Sequence, residues 1–320
     1  VSENTKIQWA DHTFNPWEGC TKVSEGCQFC YALTRNQRFA GGMNWGKGMP
    51  RRRTSAANWR KPLQWDKHAF ICPVSGSKFA TREACINRVR HIEPRRTRVF
   101  CASLADWLDE EVPIEWLADL LKVIHDTPNL DWLLLTKRPE NWLPRMHLLQ
   151  NTGDREDDLS TSGPVTRYAH CIAHDWLRGS FPANVWIGTS IENQKRADER
   201  IPELLKIPAR VRFLSVEPML GPVDVASWGW RNTGPTDARV NWVIFGGESG
   251  TGARPCNIEW IRDGVKQCRA AGVAPFVKQL GSNPYFDFST EERAAVRLKN
   301  KKGGEMSEWP EDLKIREFPC

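Results

Sequence analysis

Three cysteines, Cys20, Cys27 and Cys30, fall within one short stretch in the spacing C-x6-C-x2-C. Gly19 and Gly26 sit beside them, where a backbone that wraps closely round a bound group benefits from having no Cβ. Thiolates at this density repel one another unless a metal neutralises them. A helix N-terminus and backbone N–H groups would help further, and a helical stretch follows at 32–38. A structural zinc site closes with four ligands, so zinc would need His12 or a distant residue as well. An iron–sulfur cluster normally takes four cysteines, and three leave one iron open for chemistry. The ligand count favours the cluster over zinc, and both over three unconnected buried cysteines.

Other groups capable of chemistry recur at one kind of place. Short, nearly continuous apolar runs lie at 98–103, 131–136, 185–190, 211–216 and 241–246, with a weaker one at 275–279. Such runs read as strands with both faces buried in a parallel sheet. They end in Ser103, in Lys137 and Arg138, in Ser190 and Glu192, in Glu217, and in Gly246, Gly247 and Glu248. Polar groups at corresponding strand ends are poorly explained by core packing and suit a pocket.

Amphipathic stretches at 113–125, 197–205 and 258–271 separate the runs and predict helices. The expected fold is therefore α/β: a complete or partial (β/α) barrel of six to seven parallel strands with insertions. The barrel spans 1–282, with a basic, Trp-rich segment at 41–68 and insertions at 71–96 and 151–181, the latter a polar loop or lid. Residues 283–320 form a C-terminal cap.

The chain has 320 residues, 40% of them hydrophobic, enough for a sizeable core. Lys plus Arg number 45 and Asp plus Glu 39, a formal charge of +6 that permits a phosphate-bearing partner without demanding one. No apolar stretch is long enough to cross a bilayer. The polar start predicts no signal peptide, so the expected compartment is cytoplasmic. There the ten cysteines are not a disulfide framework, and some are ligands or nucleophiles.

Phe29 stands directly before Cys30, and this loop resembles that of the radical S-adenosylmethionine (radical SAM) superfamily. The common spacing there is C-x3-C-x2-C, so the first gap here is longer. A wider resemblance rests on Phe14-Asn15-Pro16-Trp17, Leu135-Thr136-Lys137-Arg138-Pro139, Ser215-Val216-Glu217-Pro218, 245–250 and 308–313. By these the chain is similar to phage and bacterial radical-SAM-like proteins associated with the three-Cys-motif partner protein. The resemblance implies a 4Fe-4S cluster on Cys20, Cys27 and Cys30, with S-adenosyl-L-methionine on the open iron. It also implies a one-electron donor such as flavodoxin or ferredoxin. Ser190 and Glu192 are expected to hold SAM, with Ser103 and Glu248 as further cofactor contacts. Gly246 and Gly247 would let adenine or substrate approach. Lys137 and Glu217 are the candidate catalytic residues: Lys137 for the SAM carboxylate or a substrate phosphate, Glu217 as a SAM or substrate contact. The substrate stays open.

Segment 41–68 carries Arg51, Arg52, Arg53, Arg60 and Lys61 among tryptophans that include Trp59. Basic groups track phosphates and exposed indoles stack on bases, so DNA, RNA or a nucleotide is the expected partner; the alternative is a solvated basic loop whose tryptophans plug the barrel. Phage-type base hypermodification is one such reaction. Two alternatives are a nucleic-acid-binding protein with a structural Fe–S or zinc clip, and a radical SAM enzyme acting on a small metabolite. Cys72 and Cys85 share an insertion and are candidates for an auxiliary metal, though they lack two obvious local partners. His170 and His174, four apart, read as an ordinary helical pair.

Overall fold

The apolar runs do form strands, and the pairings described between those runs are parallel. The computed structural model describes residues 2–89, 92–152, 164–225, 238–287 and 293–319. Its chain falls into two compact units. The first is Val1–Thr21, Ala32–Trp186 and Pro208–Arg210, and the second is Lys22–Tyr31, Ile187–Ile207 and Val211–Cys320.

In the first unit His12–Thr13 (β1), Arg95–Cys101 (β2) and Leu130–Thr136 (β3) pair in parallel. Val99 lies opposite His12 on one side and Trp132 on the other. Helix Tyr31–Ala40 (α1) follows the cysteine loop. Ile114–His125 (α2) connects β2 to β3 and buries Leu117, Leu120, Leu121 and Ile124 on one face. Each such side chain contributes roughly 1.5–3 kcal/mol through burial. Helices Trp142–Asn151 (α3) and Pro164–Leu177 (α4) follow, and α4 packs on α2 and α3.

Helix α4 occupies Pro164–Leu177 of the segment 151–181 expected to be a loop. Ala169, Ala173 and Trp176 are fully buried, a stripe at helical spacing that anchors it. Residues 153–163 of that segment, like Arg90 and Cys320, lie outside the described residues.

Strand Val185–Ser190 (β4) is buried throughout and ends in the second unit. There Val211–Val216 (β5), Trp242–Gly246 (β6) and Ala274–Gln279 (β7) pair in parallel, with Phe245 opposite both Val216 and Val277. Helix Gln194–Lys206 (α5) is capped by the Asn193 side chain, which accepts from Arg196 N–H. Helix Ile258–Ala270 (α6) is capped in the same way by Asn257 and packs on β6 and β7. The tail returns beside β7: Val277 N–H donates to the Ile315 carbonyl, and Trp309 is buried with its indole donating to the Gly303 carbonyl at 2.9 Å.

Among the described residues no helix is long and apolar enough to cross a membrane.

Candidate functional site

In the second unit the turn that carries Cys27 is tied to strand ends by several bonds. Glu192, just past β4, is fully buried, and a buried carboxylate must be paired to remain charged. Arg200 of α5 does this, donating to Glu192 Oε2 at 3.0 Å and to the Ser190 carbonyl at 2.7 Å. The other carboxylate oxygen, Oε1, accepts from the Ser24 hydroxyl at 2.8 Å. Ser24 in turn lies 3.8 Å from Cys27 Sγ. Gly26 presses so closely on Glu192 that a Cβ there would lie 2.2 Å from Oε1, so the glycine is a steric requirement of this docking.

Glu25 is held by Arg196, at 2.8 and 3.1 Å, and by Asn193 at 2.5 Å. The Arg196 hydrogen bonds draw its carboxyl down to about 2. Past β6, Glu248 takes a two-pronged grip from Arg254, at 2.6 and 2.8 Å. The same guanidinium donates to the Glu25 carbonyl at 2.9 Å and lies 5.4 Å from the centre of the Phe29 ring. The Cys27 turn is thereby fastened to the ends of both β4 and β6.

Glu217 ends β5. It accepts from Lys278 Nζ at 2.5 Å and from Gln279 Nε2 at 3.2 Å. Gln279 also donates to the Gly247 carbonyl at 2.9 Å. Gly247 has no room for a side chain, because a Cβ would lie 2.3 Å from the Leu280 carbonyl oxygen. Of the expected residues, Glu217, Gly247 and the end of β7 are therefore joined, and Gly246 stands beside Glu217 and Gln279.

The first unit holds Cys20. Arg138, almost fully buried, donates to Cys20 Sγ at 3.5 Å and to the Thr21 carbonyl at 2.7 Å. Asp106 pairs with Arg138 at 3.0 Å and also accepts from Thr136 Oγ1 and Lys137 N–H. Lys137 is half-buried at the end of β3. Burial pushes the Cys20 thiol up to about 12, while Arg138 pulls it the other way. Ser103 accepts from Asn15 Nδ2 at 3.0 Å, and Asn15 Oδ1 accepts from Leu104 N–H at 2.8 Å, which ties this strand end to the 14–17 segment.

Arg51 and Trp59 sit differently from expectation. Arg51 is buried, pairs with Asp109 at 2.8 Å and Glu111 at 3.0 Å, and donates to Thr21 Oγ1 at 2.8 Å. Trp59 is buried edge-on against Phe14 with the Arg53 guanidinium over its face. Both are held inside the protein and do not offer themselves to a phosphate or a base. Arg53 also pairs with Asp119, and Arg52 pairs with Glu18. Arg60 is exposed and Lys61 half-buried.

Cys20 and Cys30 are half-buried and Cys27 is buried, all as thiols rather than disulfides. A cluster fits this donor set in kind: three sulfurs leave one iron position open, and a hydrogen bond such as that from Arg138 tunes a ligating sulfur. Among the described residues no group of three or more His, Cys, Asp or Glu is placed to hold a metal ion. The fit therefore rests on donor chemistry. His170 bonds the Gln150 carbonyl and His174 bonds Asp175, as an ordinary helical pair would.

Sequence reasoning missed Ser24, Asp106, Arg200 and Arg254, the partners that hold the expected residues. Arg254 and Arg200 left local traces, as cations six residues beyond Glu248 and eight beyond Glu192.

A parallel α/β protein whose strand ends grip a cysteine-bearing turn is the class that fold and site define. The chain matches the family described as "Protein of unknown function (DUF5131)" over residues 4–310 and belongs to that family. No curated protein and no solved structure matches it.

Proposed function

We propose that the protein is a radical SAM enzyme acting on a nucleic-acid base or nucleotide. The observation that carries this reading is the fastening of the Cys27 turn to Glu192 and Glu248 at two strand ends. Carboxyl ends of parallel strands are where α/β proteins build ligand sites. Cys20, Cys27 and Cys30 would hold a 4Fe-4S cluster with S-adenosyl-L-methionine on its open iron. Bound there, the pair would supply one-electron reductive cleavage of the sulfonium, and with it radical chemistry.

The chain's own residues do the rest. Arg138 donates to the Cys20 sulfur and would stabilise its negative charge as a ligating thiolate. Glu192, Ser190, Glu248 and the Gly246–Gly247 turn are the candidate SAM contacts, and Lys137 and Glu217 are the candidate catalytic residues. The sheet is proposed to be a partial (β/α) barrel, and the protein cytoplasmic. A flavodoxin- or ferredoxin-type donor and the three-Cys-motif partner protein are the proposed protein partners.

Anaerobic reconstitution with iron and sulfide tests this. Uptake of both, followed by 5′-deoxyadenosine on adding dithionite and SAM, is expected. Cys27→Ala should abolish that product while the circular dichroism spectrum is retained. A preparation that takes up neither iron nor sulfide sinks the proposal. One that binds a cluster but never cleaves SAM points instead to a structural clip.

A further inference from the structure

Helix α1 buries Ala32 and Asn36, four apart. It leaves Arg35, Arg38 and Phe39 together on an exposed face, at i, i+3 and i+4. There the Arg35 and Arg38 guanidiniums lie 5.4 and 5.3 Å from the centre of the Phe39 ring, close enough for cation–π attraction. Phe39 is nevertheless 68% exposed. Met43, whose N–H donates to the Ala40 carbonyl in the turn that closes the helix, is 64% exposed. Apolar side chains scattered singly over a surface are ordinary, but a bare aromatic ring carrying two cations, with a second apolar side chain beyond it, marks a contact surface.

The charge here has one sign. Between Glu25 and Asp66 the chain has no carboxylate side chain and eight lysines and arginines. Arg51 and Arg53 are matched from elsewhere by Asp109, Glu111 and Asp119. Arg35 and Arg52 share Glu18, which leaves one positive charge over. Among the described residues no carboxylate pairs with Arg38 or Lys47. The surface is also preformed. Buried Arg51 donates to the carbonyls of Asn44, Gly46 and Met49 at 3.4, 3.1 and 2.9 Å. The Asn36 side chain donates to Asn44 Oδ1 at 3.4 Å, which ties the loop carrying Lys47 to α1. A surface already ordered loses little freedom on binding. The uncompensated charge calls for a polyanion, and the open ring and guanidinium planes call for one with unpaired planar groups. A single-stranded nucleic acid brings both.

We propose that this face of α1 holds a single strand of nucleic acid, a base stacking on Phe39 and the guanidinium planes and the neighbouring phosphates meeting Arg38 and Lys47. Such a site presupposes the nucleic-acid half of the function proposed above and is independent of its iron–sulfur half. It also gives Arg51 a task, that of bracing the loop beside the strand rather than touching it.

Full-length protein prepared without iron is titrated into labelled single strands of about 12 nucleotides, one of DNA and one of RNA, and anisotropy is read across a salt series. Expected is salt-dependent binding that Phe39→Ala weakens about ten-fold with the salt slope unchanged and that Phe39→Trp restores. Arg38→Gln should weaken binding and lower the slope by about 0.7, the share of one phosphate on a single strand. A strand of equal length lacking its bases should bind the wild type about as weakly as the intact strand binds Phe39→Ala. The Phe39 dependence should hold for the tighter of the two strands, which identifies DNA or RNA as the source. Wild-type affinity in both Phe39→Ala and Arg38→Gln would overturn the site alone, leaving SAM cleavage to decide the radical chemistry separately. No binding of either strand at low salt would overturn the site together with the nucleic-acid half of the function. Flavodoxin bound in a Phe39-dependent way, with strand binding indifferent to the substitution, would make this face a docking surface for an acidic protein and would likewise overturn it.

Discussion

Arg51 and Asp109 are both fully buried and meet at 2.8 Å, with Glu111 and Thr21 on the other arm of the guanidinium. Removing one member of such a pair strands the other charge in a dry interior. Arg51→Met is therefore expected to cost about 3 kcal/mol or more in urea unfolding, and a double variant that also makes Asp109→Leu should recover most of it. An unchanged midpoint in the single variant would contradict the buried pairing. His12 makes the opposite case, a buried group kept neutral. It stacks on Trp65 with ring centres 4.4 Å apart, and burial holds its imidazole down to about 4. Between that value and the ordinary one near 6.5 the unfolded chain binds a proton that the folded chain refuses. Stability from this residue is therefore complete above about pH 6.5 and drains away as the pH falls to about 4, by on the order of 3 kcal/mol. Comparing unfolding free energies at pH 7 and pH 4.5 isolates it: His12→Gln should show a correspondingly smaller acid loss than the natural chain. Equal losses would show that His12 is not held neutral.

At the scale of elements, the turn that carries Cys27 depends on Gly26. A methyl group there would meet the Glu192 carboxylate, which Arg200 holds from behind. Gly26→Ala should destabilise by about 1–3 kcal/mol as the turn is pushed off its seat, read as a lower unfolding midpoint, and SAM cleavage should fall with it. A variant that keeps both would mean the turn is not seated on Glu192. How far such elements could be read from sequence varies with what defines them. Strands β4 and β5 stood out because both faces are buried and most of their residues are apolar. Helix α4 did not: its buried stripe of Ala169, Ala173 and Trp176 is sparse and sits among histidines and charges, so composition outweighed period. The cysteine spacing and the polar strand ends were local signals and could be seen directly. The clamps were not, since Arg51 meets Asp109 across 58 positions and Arg138 meets Cys20 across 118. Trp59 misled because an indole serves equally as a core residue or a stacking surface, and sequence does not say which.

For the molecule as a whole, a charge of +6 spread over 320 residues says little about partners. Exposed charges act over roughly 8 Å at physiological salt, so local clusters decide. With Arg51 buried and Arg52 and Arg53 paired to carboxylates, the basic segment offers Lys47, Arg60 and Lys67 as its exposed lysines and arginine beyond those, with Lys61 half-buried. If single-stranded nucleic acid is the substrate, each phosphate contact releases counterions. Neutralising the three exposed residues to Gln should then lower the slope of log affinity against log salt by about 2. Fluorescence anisotropy of a labelled oligonucleotide across a salt series measures that slope. Arg51→Met supplies the contrast: its side chain cannot reach a phosphate, so the slope should not change even though the protein is less stable. Equal loss of slope in both variants would mean that general destabilisation, not phosphate contact, was being read. No measurable binding at low salt would remove nucleic acid from the proposal and leave the small-metabolite reading of the same strand-end site.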